Sequence, residues 1–127
     1  MKIDHIGIAV KNIEEAGRIY SDIGLEKGSS EVIDGMKVGF FAAGDSNIEL
    51  LEPVDMDSPI GKFIEKKGEG IHHIAVNVPD VEAKLKELEE KGYRLIDKSP
   101  RTGAHGKKIA FLHPKSTKGV LLEICEG

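Results

Sequence analysis

Apolar and polar positions alternate along residues 2–10. Ile6, Ile8 and Val10 share one face, and His5, Gly7 and Ala9 share the other, which predicts a β-strand. Asn12 then supplies an N-cap, and Ile13, Ala16, Ile19, Tyr20 and Ile23 recur at helical spacing until Gly24 stops the pattern. Residues 25–33, 36–43 and 46–52 read as three strands, separated by the turn dipeptides Asp34-Gly35 and Gly44-Asp45. The same order then returns. A strand over 71–78 leads to Asp80 as N-cap, a helix carrying Val81, Leu85 and Leu88, and Gly92 as terminator, with strands near 93–98, 107–113 and 119–125. Ser58-Pro59 opens a short helix through Lys67. The expectation is a single α+β domain over 1–127, built from two tandem βαβββ modules that form a curved, cup-shaped mixed sheet with helices on the outside. Module one covers about 1–52, a linker with the short helix covers 53–70, and module two covers 71–127.

The two halves resemble each other residue by residue. Ile3-Asp4-His5-Ile6-Gly7-Ile8-Ala9-Val10 returns 68 positions later as Ile71-His72-His73-Ile74-Ala75-Val76-Asn77-Val78. Gly35-Met36-Lys37-Val38-Gly39-Phe40 answers Gly106-Lys107-Lys108-Ile109-Ala110-Phe111, and Ile48-Glu49-Leu50 answers Leu122-Glu123-Ile124. Each copy opens on a strand carrying His and closes on a strand carrying Glu. Small residues follow each histidine on its own face, Gly7 and Ala9 in one copy and Ala75 in the other, and they leave empty volume there. If the sheets curl round a common interior, His5, Glu49, His73 and Glu123 converge. Two imidazoles and two carboxylates suit a hard or borderline divalent ion: Co²⁺, Mn²⁺, Ni²⁺ or Zn²⁺.

Composition narrows the field. The chain has 127 residues, enough for one core, and a formal charge of −4 with mixed signs, which argues against a nucleic-acid surface. No apolar run approaches the roughly 18 residues of a membrane span, and Met1-Lys2 leads directly into a strand, so neither a membrane segment nor a secretory leader is expected. A single cysteine, Cys125, forms no internal disulfide and fits the cytoplasm.

These residues resemble the vicinal oxygen chelate superfamily and, within it, the methylmalonyl-CoA epimerase family. The likeness runs along Asp4-His5-Ile6-Gly7, Ile48-Glu49-Leu50-Leu51-Glu52-Pro53, Asp57-Ser58-Pro59 and Gly70-Ile71-His72-His73-Ile74. Its most specific part is late, from Gly103-Ala104-His105-Gly106 through Phe111-Leu112-His113-Pro114-Lys115-Ser116 to Glu123. The resemblance implies His5, Glu49, His73 and Glu123 as metal ligands, with Co²⁺ the first choice of ion. It also implies inversion of the α carbon of methylmalonyl-CoA through a metal-stabilised enolate, a place in propionyl-CoA metabolism and a homodimer. Pseudo-symmetry offers Glu123 as one proton carrier and Glu49, or a metal-bound water in its place, as the other. Some family members place a further Glu where this chain has Val38, so the second carrier is not fixed by the likeness. Coenzyme A phosphates need cations, for which Lys107, Lys115 and Lys118, with Lys108 and Arg101 nearby, are candidates, and His105 is a candidate substrate contact.

Three other readings share this pattern. A glyoxalase I type lyase uses a similar ligand set on a hemithioacetal. An extradiol dioxygenase would need an Fe(II) site with two His and one carboxylate, which a fourth ligand disfavours. A metal-free ligand-binding protein of the same fold would have no need of both His and both Glu facing inward.

Overall fold

A computed structural model describes all 127 residues, Met1–Gly127. In chain order the elements are β1 (Lys2–Ala9), α1 (Ile13–Asp22), β2 (Glu26–Ile33), β3 (Met36–Ala43), β4 (Ser46–Pro53), α2 (Pro59–Lys67), β5 (Gly70–Asn77), α3 (Val81–Glu90), β6 (Arg101–Thr102), β7 (Lys108–Leu112) and β8 (Leu122–Cys125). The chain divides into two compact units, His5–His72 and His73–Gly127, the latter including Met1–Asp4. We call them the N-terminal and C-terminal units.

In the N-terminal unit the strand order is β2-β3-β4-β1, antiparallel except for the parallel pair β4–β1. A parallel neighbour needs a crossover, and α1 with the β2–β3 hairpin supplies it. α1 starts where Asn12 Oδ1 accepts the Glu15 N–H at 2.8 Å. Its inner face joins Ile13, Ala16 and Tyr20 to Val10, Phe41 and Leu50 in one core. Ile19 and Ile23, grouped by spacing with that stripe, stand 60% and 65% exposed. The helix seats Gly17 on the sheet instead, where an added Cβ would lie 2.9 Å from the Phe41 ring.

In the C-terminal unit the order is β5-β8-β7-β6, again with one parallel pair, β5–β8. Asp80 Oδ1 caps α3 by accepting the Ala83 N–H at 3.0 Å, and Val81 and Leu85 pack on Val78, Ala110, Leu112 and Ile124. Both units are therefore βαβββ, as the periodicity predicts. The strand expected near 93–98 does not form. That stretch makes a single bridge, Leu95 to Leu112, and the paired strand is the two-residue β6. The reason is local. Asp97 Oδ2 takes the Phe111 N–H at 2.9 Å, and the Phe111 carbonyl accepts from both Ile96 and Asp97, so no regular ladder can run there. Pro100 then removes a donor before pairing resumes.

α2, capped by Ser58 and begun by Pro59, packs on β4. Its Gly61 is fixed by the chain that precedes it, because a Cβ there would sit 2.4 Å from the Met56 carbonyl oxygen. Gly61→Ala forces backbone apart and should destabilise the protein by about 2 kcal/mol or more, read as a lowered thermal midpoint. An unchanged midpoint would show that the Met56 turn yields freely.

Candidate metal centre

Each unit holds one buried His–Glu pair, built the same way. In the N-terminal unit β1 and β4 run parallel with Gly7 opposite Glu49, which puts His5, Gly7 and Ala9 on the face of Glu49. β3 continues that face with Phe40 opposite Glu49 and Val38 opposite Leu51. Ile8, Ile48 and Phe41 point the other way, toward α1. On the face away from α1, His5 Nδ1 lies 3.2 Å from Glu49 Oε2, with both side chains buried.

The C-terminal unit repeats this register. Ala75 stands opposite Glu123, and Phe111 stands opposite Glu123 on its other side. His73 Nε2 lies 3.4 Å from Glu123 Oε1, again with both side chains buried. The Phe111 ring meets the His73 ring edge-on, with centroids 5.7 Å apart. The residues opposite both carboxylates are small, Gly7 in one unit and the fully buried Ala75 in the other.

The donors fit a divalent metal. Two ligands each about 2.0–2.1 Å from one ion stand roughly 3–3.4 Å apart, depending on the angle between them, and both pairs fall in that range. All four donors are imidazole nitrogen or carboxylate oxygen, suited to a hard or borderline cation. Cys125 adds no thiolate. Burial, then the negative charges of Asp4 and Glu123, push its thiol up to about 12. Below that pH the folded protein keeps the thiol protonated, whereas an unfolded chain ionises near 8.5. We therefore expect alkylation of Cys125 at pH 8 to run about a thousandfold slower in the native protein than in denaturant. Equal rates would remove the buried neutral thiol from this description.

The remaining predicted site residues are dispersed. Lys107 Nζ stands 3.4 Å from Asp4 Oδ1 and is partly buried, so it serves first as the partner of that carboxylate. Lys115 and Lys118 are exposed at the far end of β7, which at five residues spans about 16 Å. The structure does not bring these three lysines together. His105 is exposed in the β6–β7 loop and adopts a left-handed conformation, φ 58°, next to Gly106 at φ 71°. His72 turns toward α2 and meets Phe63 edge-on at 4.9 Å, while burial, then Lys67, hold its pKa below the usual value. His113 accepts the Lys115 N–H through Nδ1 at 3.1 Å and caps the turn that follows.

Four acidic side chains with defined partners escaped the sequence reading. Asp4 is buried beside Lys107. Asp97 holds Arg101 through Nε at 3.1 Å and Nη2 at 2.9 Å. Glu52 Oε1 accepts the Ile13 N–H at the start of α1 (2.8 Å), and Glu126 Oε1 accepts the Val81 N–H at the start of α3 (3.1 Å). The last two were legible, since Glu52 and Glu126 stand in the same register of the repeat as Glu49 and Glu123.

Comparison with known proteins places this architecture. The family model for the Glyoxalase/Bleomycin resistance protein/Dioxygenase superfamily matches residues 4–111, and the chain belongs to that superfamily and has its fold. It superimposes on the crystal structure of a hypothetical protein from Bacillus halodurans C-125 with a TM-score of 0.97 and 46% identity, over 99% of this chain and 94% of that one. It is 40% identical over 128 residues to the ethylmalonyl-CoA/methylmalonyl-CoA epimerase of Cereibacter sphaeroides, covering 97% of this chain and 96% of the relative. A variant of Streptomyces coelicolor methylmalonyl-CoA epimerase in complex with 2-nitronate-propionyl-CoA matches with a TM-score of 0.94 and 38% identity, covering 100% of this chain and 94% of that one. No helix is long and apolar enough to cross a membrane.

Proposed function

We propose that the protein is a metal-dependent epimerase that interconverts the (R) and (S) forms of methylmalonyl-CoA. The observation that carries this reading is the pair of buried His–Glu couples at matching registers, in a chain 40% identical to a relative that is named as an epimerase of this substrate and covered to 96% of its length. His5, Glu49, His73 and Glu123 together hold one divalent ion, with Co²⁺ the first candidate and Mn²⁺, Ni²⁺ and Zn²⁺ the alternatives. When bound, that ion supplies Lewis acidity that stabilises negative charge developing on the thioester oxygen.

The remaining work falls to side chains. Epimerisation removes the α proton from one face and returns a proton to the other, so it needs two carriers. Glu123 takes and gives the proton on one face, and Glu49 does so on the other. Val38, fully buried opposite Leu51, carries no titratable group and takes no part in proton transfer. Phe111, against His73, and Phe40, beside Glu49, narrow the approach to the carboxylates and exclude water from them. A homodimer in a reducing cytoplasm is the setting we expect, consistent with a single buried free thiol.

The test is reconstitution. Protein stripped with a chelator should lose epimerase turnover, and Co²⁺ should restore it, with Mn²⁺, Ni²⁺ and Zn²⁺ assayed alongside. Turnover of fully stripped protein at the rate of loaded protein rules out the metal role. The lyase alternative is separated by solvent deuterium uptake, expected into methylmalonyl-CoA and not into a glutathione hemithioacetal.

A further inference from the structure

Arg101 occupies a position that the four proposed ligands do not explain. It lies on β6 opposite Ile109, which in turn lies opposite Cys125, so its side chain starts on the face that carries Glu123, Phe111 and His73. The guanidinium carbon sits 5.2 Å from the centre of the Phe111 ring, and that ring is the one set edge-on to His73. Asp97 fixes it from behind with two hydrogen bonds, to Nε and to Nη2. The same carboxylate also holds the Phe111 N–H at 2.9 Å. The guanidinium is therefore held against the aromatic residue that meets His73.

A clamped guanidinium still has donors to offer. Of its five N–H groups Asp97 engages two, which leaves three in a planar fork, and the side chain remains 46% exposed. A planar fork with its orientation already set loses little entropy on binding a carboxylate or phosphate oxygen. By contrast Lys107 is engaged by Asp4, and Lys115 and Lys118 stand at the other end of β7.

We propose that Arg101, oriented by Asp97 on the Phe111 ring, binds an oxyanion of the acyl-CoA substrate and sets the affinity for it. This rests on the epimerase reading for the identity of the substrate. The oxyanion is either the free carboxylate of the malonyl group or a phosphate of the coenzyme, and two measurements tell them apart. KM for methylmalonyl-CoA is compared between the metal-loaded wild type, Arg101→Lys and Arg101→Gln. Calorimetry then gives the Kd of propionyl-CoA, which has the phosphates and lacks the carboxylate, for the same three proteins.

Loss of a hydrogen bond to a charged group predicts a KM about ten- to a hundredfold higher in Arg101→Gln, with kcat changed less than about threefold and partial recovery in Arg101→Lys. A parallel rise in the Kd of propionyl-CoA assigns the contact to a phosphate. An unchanged Kd beside a raised KM assigns it to the carboxylate. If both constants stay at wild-type values in a folded Arg101→Gln protein, Arg101 serves only to brace Phe111 and the inference fails while the epimerase reading stands. If the wild type itself shows no epimerase turnover, the reading fails and takes this inference with it.

Discussion

Glu123→Gln should lower epimerase turnover by about 10²–10⁴-fold while leaving the protein folded. The substitution keeps the size of the side chain and an oxygen that can still approach a metal, and it removes the ability to carry a proton. Glu123 stands between Ala75 on one neighbouring strand and Phe111 on the other, and Gln has the same size, so the amide fits the same space. Two carriers on opposite faces give this variant a distinctive signature. The surviving carrier still exchanges the proton on its own face, so deuterium from solvent should enter one epimer of methylmalonyl-CoA and not invert it. Glu49→Gln should show the mirror result, with exchange confined to the other epimer. Full turnover in Glu123→Gln with metal retained would falsify the assignment of Glu123 as a proton carrier.

Phe41→Ala should have the largest effect on stability, about 3–5 kcal/mol, without touching the chemistry directly. Phe41 is 1% exposed and fills the space between Tyr20, Ile13, Val10 and Leu50, with its ring 5.7 Å from that of Tyr20. Its neighbour Phe40 points to the opposite face, beside Glu49. The two adjacent phenylalanines thus separate fold from site. Phe41→Ala opens a cavity under α1 next to Gly17, which has no side chain of its own to refill it. A domain of this size has a total stability of about 5–15 kcal/mol, so the variant should melt well below the wild type in a thermal scan. A loss under about 1 kcal/mol would mean that α1 collapses onto the sheet and that the core is less rigid than its burial implies.

Most of the architecture was legible because the repeat tests itself. A strand period that puts His5 on one face is checked by the same period at His73, and the structure keeps both parities. The helix starts were equally plain, since Asn12, Ser58 and Asp80 each cap in the expected way. Failures came where a side chain competed with the backbone. Asp97 takes a ladder N–H, and no count of apolar residues along 93–98 anticipates that. Ile19 and Ile23 fit a helical stripe, yet the helix presses down on Gly17, and a close approach is marked by a missing side chain and not by hydrophobicity. The His113-Pro114-Lys115-Ser116 segment carries the family resemblance in the sequence. Its physical content is a brace, with His113 capping the turn and Ser116 Oγ accepting the Arg94 N–H at 2.7 Å. The lysines named for coenzyme A stand at both ends of β7, Lys107 before it and Lys115 and Lys118 after it, because closeness in sequence on either side of a strand is distance in space.

The spacing Glu49-Leu50-Leu51-Glu52, repeated as Glu123-Ile124-Cys125-Glu126, has a further effect. An odd separation on a strand sends the two acids to opposite sides of the sheet, one beside the buried histidine of its unit and the other to the first turn of a helix. A slip of one residue in either strand would therefore uncouple a helix and misdirect a buried carboxylate together. Docking of each helix and placement of the buried carboxylate beside its histidine thus depend on one and the same alignment in each half, so a fault in either is expected to show in both.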